Sequence, residues 1–215
     1  FKQKTAYEIG VRLVGSEMCI RDRCAKNFSG SLIFMRAALV ILISLLVISA
    51  VIGIIIILLG SFDETEIRIL FTCGVLSAYT ALMTPSLFHI GRGRYTYLTR
   101  MAITSTSTAL VMLLFLVWGG EPIKGESYFR SLVSLGVLAV ATNHSLVLLI
   151  TRSTKLIVKV VQQTTIIIIV LVTIFFLVAI WNDGLPEPLL RIFFALVVLD
   201  ALGSMATPVL VKSLR

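Results

Sequence analysis

The sequence predicts an all-α polytopic membrane protein whose six transmembrane helices form three tandem parallel helical hairpins. Three observations predict it. Six apolar stretches of about twenty residues or more fill the chain, the segments between them alternate between basic and acidic, and later stretches repeat an earlier one. A helix needs about 20 apolar residues to cross about 30 Å of hydrocarbon. The 215 residues are 58% apolar and only 14% charged, and the mean hydropathy is +1.02. Soluble domains carry about 45–50% apolar and about 25% charged residues, so a soluble fold could not hide this much apolar surface. A transmembrane barrel would need alternating segments of about ten residues, yet Ile54–Leu59 and Ile166–Val172 are apolar at every position.

Residues 1–23 read as neither a targeting signal nor a span. The string KQKTAYEI at Lys2–Ile9 resembles the conceptual translation of a short-read flow-cell adaptor. LVGSEMCIRDR at Leu13–Arg23 looks like the translated end of a transposase library adaptor, and Gly10, Val11 and Arg12 fill the place of an index barcode. That resemblance implies a library scar, to be excluded from fold reasoning, with the native protein beginning no earlier than about Cys24. Without this segment 14 basic and 8 acidic residues remain of the 19 and 11, a net charge of +6.

The six spans follow in order as Leu32–Gly60, Ile67–Ile90, Met101–Gly119, Tyr128–Ile150, Val160–Trp181 and Leu189–Val211. They form a single domain over 24–215, with hairpins at about 32–90, 97–150 and 156–212. Lys26 and Arg36 lie at the start of span one; Arg92, Arg94 and Arg100 lie between spans two and three. Arg152, Lys155 and Lys159 lie between four and five, and Lys212 and Arg215 end the chain: ten basic residues and no acid. The opposite segments carry Asp63, Glu64, Glu66 and Arg68, then Glu121, Lys124, Glu126 and Arg130, then Asp183, Glu187 and Arg191. Because cytoplasmic loops hold the Lys/Arg excess, both termini are expected in the cytoplasm, at the cytoplasmic membrane in a prokaryote. The pI of about 9.8 thus reflects topology, and no nucleic-acid partner is expected, since the basic residues flank spans and form no groove-sized cluster.

Arg68–Leu87 aligned on Arg191–Leu210 gives nine identities in twenty, including Arg68/Arg191, Phe71/Phe194, Thr84/Thr207 and Pro85/Pro208. A shift of 62 residues onto span four matches Arg68/Arg130, Gly74/Gly136 and Thr80/Thr142 among others, with Leu146 and Val147 replacing the Thr-Pro pair. A two-span unit returns to its starting side, so three copies are parallel, unlike the inverted repeats of many transporters. Three hairpins invite comparison with mitochondrial carriers, but that family's longer repeats and charged Pro-x-Asp/Glu motif are absent. The hairpin pattern resembles no characterised family.

Few residues could carry chemistry. Asp200 lies mid-span, where an aspartate costs about 2.5–3.5 kcal/mol on insertion scales, so it should face the bundle. His144 follows Asn143 in span four. Counting about 1.5 Å per residue from the outer arginines, Asp200 lies about 13 Å deep, Tyr79 about 16 Å and His144 about 21 Å, so the even-numbered spans could bring Asp200, Tyr79 and His144 to one internal polar patch. The sharp reading is a proton or cation relay; the bland one is interhelical hydrogen bonding at about 0.6 kcal/mol per contact. Thr104–Thr108 and Gln162–Thr165 are small or polar clusters that suit close helix approach. Arg68, Arg130 and Arg191 are expected to snorkel to the outer interface, and Pro85 and Pro208 to kink spans two and six. Cys73 reads as a small buried residue.

Enzyme classes find no support. There is no Gly-x-Ser-Gly arrangement around Ser204, only Asp200 is a membrane aspartate, and Gly91-Arg92-Gly93-Arg94 reads as a basic turn. No cofactor and no metal site are expected. Two functions remain: a noncatalytic membrane subunit or assembly module, forming a homo-oligomer or joining a partner subunit in the lipid bilayer, and a small transporter or channel component built on Asp200, His144, Tyr79 and Asn143.

Overall fold

The computed structural model describes residues 36–37, 40–41, 43–56, 58, 63–90, 95–119, 125–151 and 155–213. The adaptor-like segment, Cys24, Lys26, the Gly91–Arg94 turn, Glu121, Lys124, Arg152 and Arg215 lie outside the described residues. Within them the chain is all helix: α1 Ile43–Ile56, α2 Glu64–Ile90, α3 Thr96–Trp118, α4 Glu126–Ile150, α5 Leu156–Trp181 and α6 Glu187–Ser213. The five from α2 to α6 are long and apolar enough to cross a membrane; the described part of α1 is shorter.

The helices outrun the apolar stretches at their ends. α2 starts at Glu64 and α6 at Glu187, because acids in a first turn meet the positive end of the helix dipole. α3 begins at Thr96, which takes Arg100 into the helix, and Lys212 sits in the last turn of α6, where a cation is favoured. At 23 to 27 residues each, these helices are about 35–40 Å long. Their charged ends therefore reach beyond a hydrocarbon layer of about 30 Å.

Consecutive helices run antiparallel, as the bonds between their ends record. Trp118 at the end of α3 donates to Thr72 near the start of α2 (3.1 Å), and Tyr128 at the start of α4 donates to the Met112 carbonyl of α3 (2.6 Å). Gln162 near the start of α5 bonds the Leu148 carbonyl at the end of α4. The α5–α6 turn closes by a Schellman motif: Gly184 N–H reaches the Ala179 carbonyl (2.9 Å) with Asp183 left-handed at φ 56°. That turn aims the Asp183 carboxylate back at α4.

The interior combines small residues with a few larger aliphatic ones, Leu132, Leu146, Leu148, Val158 and Ile169. Ala102, Thr106 and Ala109 of α3, Ala139 of α4 and Thr165 of α5 are buried, and short side chains let backbones approach where lipid supplies no hydrophobic drive between helices. α5 and α6 approach closely at Gly203, where an added Cβ would collide with Thr165 Oγ1 and stand 3.0 Å from Cγ2. Many bulky side chains point outward, with Phe129 59%, Phe194 59% and Met205 72% exposed. That inside-out arrangement suits hydrocarbon as solvent. α2 and α6 run on through Pro85 and Pro208 to Ile90 and Ser213 without a break in helix.

Candidate functional site

Neighbouring residues on a helix point about 100° apart, so Asn143 and His144 of α4 address different partners. Asn143 turns to α2 and α3. Its Oδ1 accepts from Ser86 Oγ (2.8 Å), and its Nδ2 donates to Thr106 Oγ1 (3.0 Å) and to the Ala139 carbonyl (2.8 Å). Thr106 donates onward to the Ala102 carbonyl (2.6 Å). All the side-chain capacity of this buried amide is thereby engaged except one acceptor lone pair. One helical turn deeper along α2, His89 Nε2 stands 3.0 Å from the Leu146 carbonyl; a carbonyl only accepts, so this nitrogen carries the proton.

His144 turns to α6. Its Nε2 is 2.9 Å from Ser204 Oγ, which donates to Asp200 Oδ1 at 3.3 Å. Asp200 and Ser204 share a face because they are four residues apart. Since the single serine proton goes to Asp200, the imidazole must donate from Nε2, which leaves Nδ1 as an acceptor in the neutral ring. Nδ1 lies 3.8 Å from Asp200 Oδ2, and both side chains keep some exposure, 33% and 19%.

That exposure opens onto a groove of about 660 Å³, which runs along α4 from Phe129 to His144 and is flanked by α2, α3, α5 and α6. Its walls are apolar but for Thr173, His144 and Asp200, and the Thr173 hydroxyl is tied to the Ile169 carbonyl (2.7 Å).

The structure thus brings His144 and Asp200 together and assigns Tyr79 and Asn143 to separate groups. Tyr79 Oη lies 3.3 Å from Ser107 Oγ of α3, away from the groove, so a patch of Asp200, Tyr79 and His144 is not assembled. Comparable depth does not imply a shared azimuth. Ser204, Ser86 and His89 were not expected as partners. Their only sequence signal is a hydroxyl or imidazole three or four residues from another polar side chain in an apolar helix.

Arg68, Arg130 and Arg191 differ among themselves. Arg68 pairs with Glu64 (3.2 Å). Arg130 pairs with Glu126 and with Asp183 across the α5–α6 turn, and reaches the Trp181 carbonyl at 3.4 Å. Arg191 is exposed in the first turn of α6. One turn beyond two of them sits the same relay: Trp118 Nε1 donates to Thr72 Oγ1, which donates to the Arg68 carbonyl, and Trp181 Nε1 donates to Ser134 Oγ, which donates to the Arg130 carbonyl. At the third position Ala195 has no hydroxyl.

Among the described residues no cluster of three or more His, Cys, Asp or Glu could hold a metal ion. No family model matches the chain, and no curated protein or solved structure matches it either.

Proposed function

We propose that the chain is a multi-pass membrane protein of six spans in three tandem parallel hairpins, with both ends cytoplasmic, acting as a noncatalytic subunit or assembly module. The observation that carries this reading is the outward display of large apolar side chains on every long helix, most completely on α6, whose apolar window has no buried residue. Such a surface needs lipid or another membrane helix against it. Short connections between helices leave little chain for chemistry outside the bilayer. The repeat is supported by the two tryptophan relays, whose tryptophans, hydroxyls and arginines are separated by 63, 62 and 62 residues. Orientation is supported by the sign of the charges at the helix ends. The adaptor-like residues 2–23 take no part in this reading; sequencing the gene from genomic DNA tests that exclusion.

The experiment is mass measurement of the protein purified in mild detergent and in nanodiscs. A discrete homo-oligomer, or a complex with a stoichiometric membrane partner, supports assembly; a monomer that co-purifies with nothing contradicts it.

A second reading is favoured by one observation, the His144–Ser204–Asp200 group facing a groove. A carboxyl and an imidazole this close within a membrane bundle can pass a proton or hold a cation. In proteoliposomes a transporter or channel component loses flux on Asp200→Asn; unchanged flux removes this reading.

A further inference from the structure

We infer that the groove along α4 is a binding site for an amphiphile with an apolar body and a single protonated amine, the ammonium lodging between Asp200 and His144. With the imidazole neutral, the groove floor presents two acceptors with no donor between them. Ser204 gives its proton to Asp200 Oδ1 (3.3 Å), so His144 gives its Nε2 proton to Ser204 (2.9 Å), and the two atoms left, Asp200 Oδ2 and His144 Nδ1, are both acceptors. They face each other at 3.8 Å, beyond hydrogen-bond distance. An ammonium offers three N–H groups and can serve both acceptors at once, and its charge matches the carboxylate, the sole acid among the groove-lining residues, which include no lysine or arginine.

The rest of the groove fixes the body of the ligand. Phe71 of α2, Leu113 of α3, Val137 of α4 and Phe176 of α5 make its walls apolar, and about 660 Å³ falls within the range of about 300–1,000 Å³ typical of small-molecule sites. From Phe129 to His144 the groove follows α4 for about 22 Å, from near the helix's Glu126 end to about three-quarters of its length. A tail therefore lies along the bilayer normal with its head at the bottom. Gly136 sits on this wall with nothing within 4 Å of the place a Cβ would occupy, so a side chain there starts into open groove space.

The probe is dodecylamine, compared with dodecanol and dodecanoic acid, titrated into the full chain in nanodiscs and read as saturable binding and as thermal stabilisation. The amine is expected to bind at least about tenfold more tightly than the alcohol or the acid, a difference of about 1.4 kcal/mol. Asp200→Asn is expected to lower amine affinity about tenfold or more while leaving alcohol binding unchanged. Gly136→Leu is expected to reduce binding of all three probes while the protein stays folded and monodisperse. Equal affinity for amine and alcohol means apolar filling only and overturns the inference, as does full amine affinity in Asp200→Asn or in folded Gly136→Leu. Should Asp200→Asn fail to fold, the three-probe comparison and Gly136→Leu decide alone. The inference relies on the membrane reading only for the route by which an amphiphile arrives: a chain soluble without detergent sinks that reading and leaves the probe comparison standing.

Discussion

Replacing Asn143 by alanine should loosen α4 from both α2 and α3. Asn143 is 2% exposed and Ser86 0%, and the amide joins them in the chain Ser86, Asn143, Thr106, Ala102 carbonyl. Two interhelical hydrogen bonds are lost, at about 0.6 kcal/mol each in a membrane bundle. Ser86 loses its acceptor at a site closed to water, which adds about 1 kcal/mol. The Thr106 hydroxyl keeps its own acceptor and adds little. Together the loss is about 2 kcal/mol. Unfolding in mixed micelles by increasing mole fraction of sodium dodecyl sulfate, followed by circular dichroism, measures it. Pairing the change with Ser86→Ala should recover part of the loss, because the orphaned hydroxyl disappears with it. Stability within about 0.5 kcal/mol of the parent, below the two lost bonds alone, would refute the claim that this amide clamps three helices, as would strict additivity with Ser86→Ala.

Other outcomes follow from the same structure. Gly203→Val should push α5 from α6 and cost about 1–3 kcal/mol, with partial rescue by Thr165→Ala, because the new side chain collides with Thr165; the same unfolding assay reads both. Trp118→Phe and Trp181→Phe each remove one indole donor and should cost similar small amounts, about 0.5 kcal/mol; a marked inequality speaks against equivalence of the two relays. Arg130→Gln should lower stability and also reduce its dependence on ionic strength, since exposed pairs with Glu126 and Asp183 are screened by salt; unchanged salt dependence contradicts a role for those pairs.

Helix positions were legible because apolar length is a one-dimensional signal, and five of the stretches coincide with long helices. Helix ends were less so. Hydropathy drops before the apolar stretches begin, yet the helices reach out to Glu64, Thr96 and Glu187, since charge at a helix end is compatible with helix and only incompatible with hydrocarbon. Depth was only coarsely legible: counting from the arginines set Asp200 and His144 about 8 Å apart along the helix axes, whereas their side chains approach to 3.8 Å. Azimuth was not. Which side of α2 carries Tyr79 depends on how α2 rotates against α3, and Ser107 takes its hydroxyl. Likewise nothing in the string around Gly203 announces Thr165 as its neighbour, because that contact depends on the α5–α6 crossing. The hydrogen-bonded serines escaped notice for a simple reason: a serine in an apolar helix can always bond its own backbone, as Ser77 does to the Cys73 carbonyl.

The account depends most on the bilayer passing between the two ends of these helices, and cysteine accessibility tests that directly. With the chain's three cysteines replaced by alanine, single cysteines at Gly125 and Gly184, beside the starts of α4 and α6, and at Tyr95 and Lys155, beside the starts of α3 and α5, are exposed to a membrane-impermeant maleimide on intact cells. Labelling of Gly125→Cys and Gly184→Cys alone, with Tyr95→Cys and Lys155→Cys reacting only after permeabilisation, is the predicted result. Equal labelling of all four on intact cells, or the reverse pattern, contradicts it.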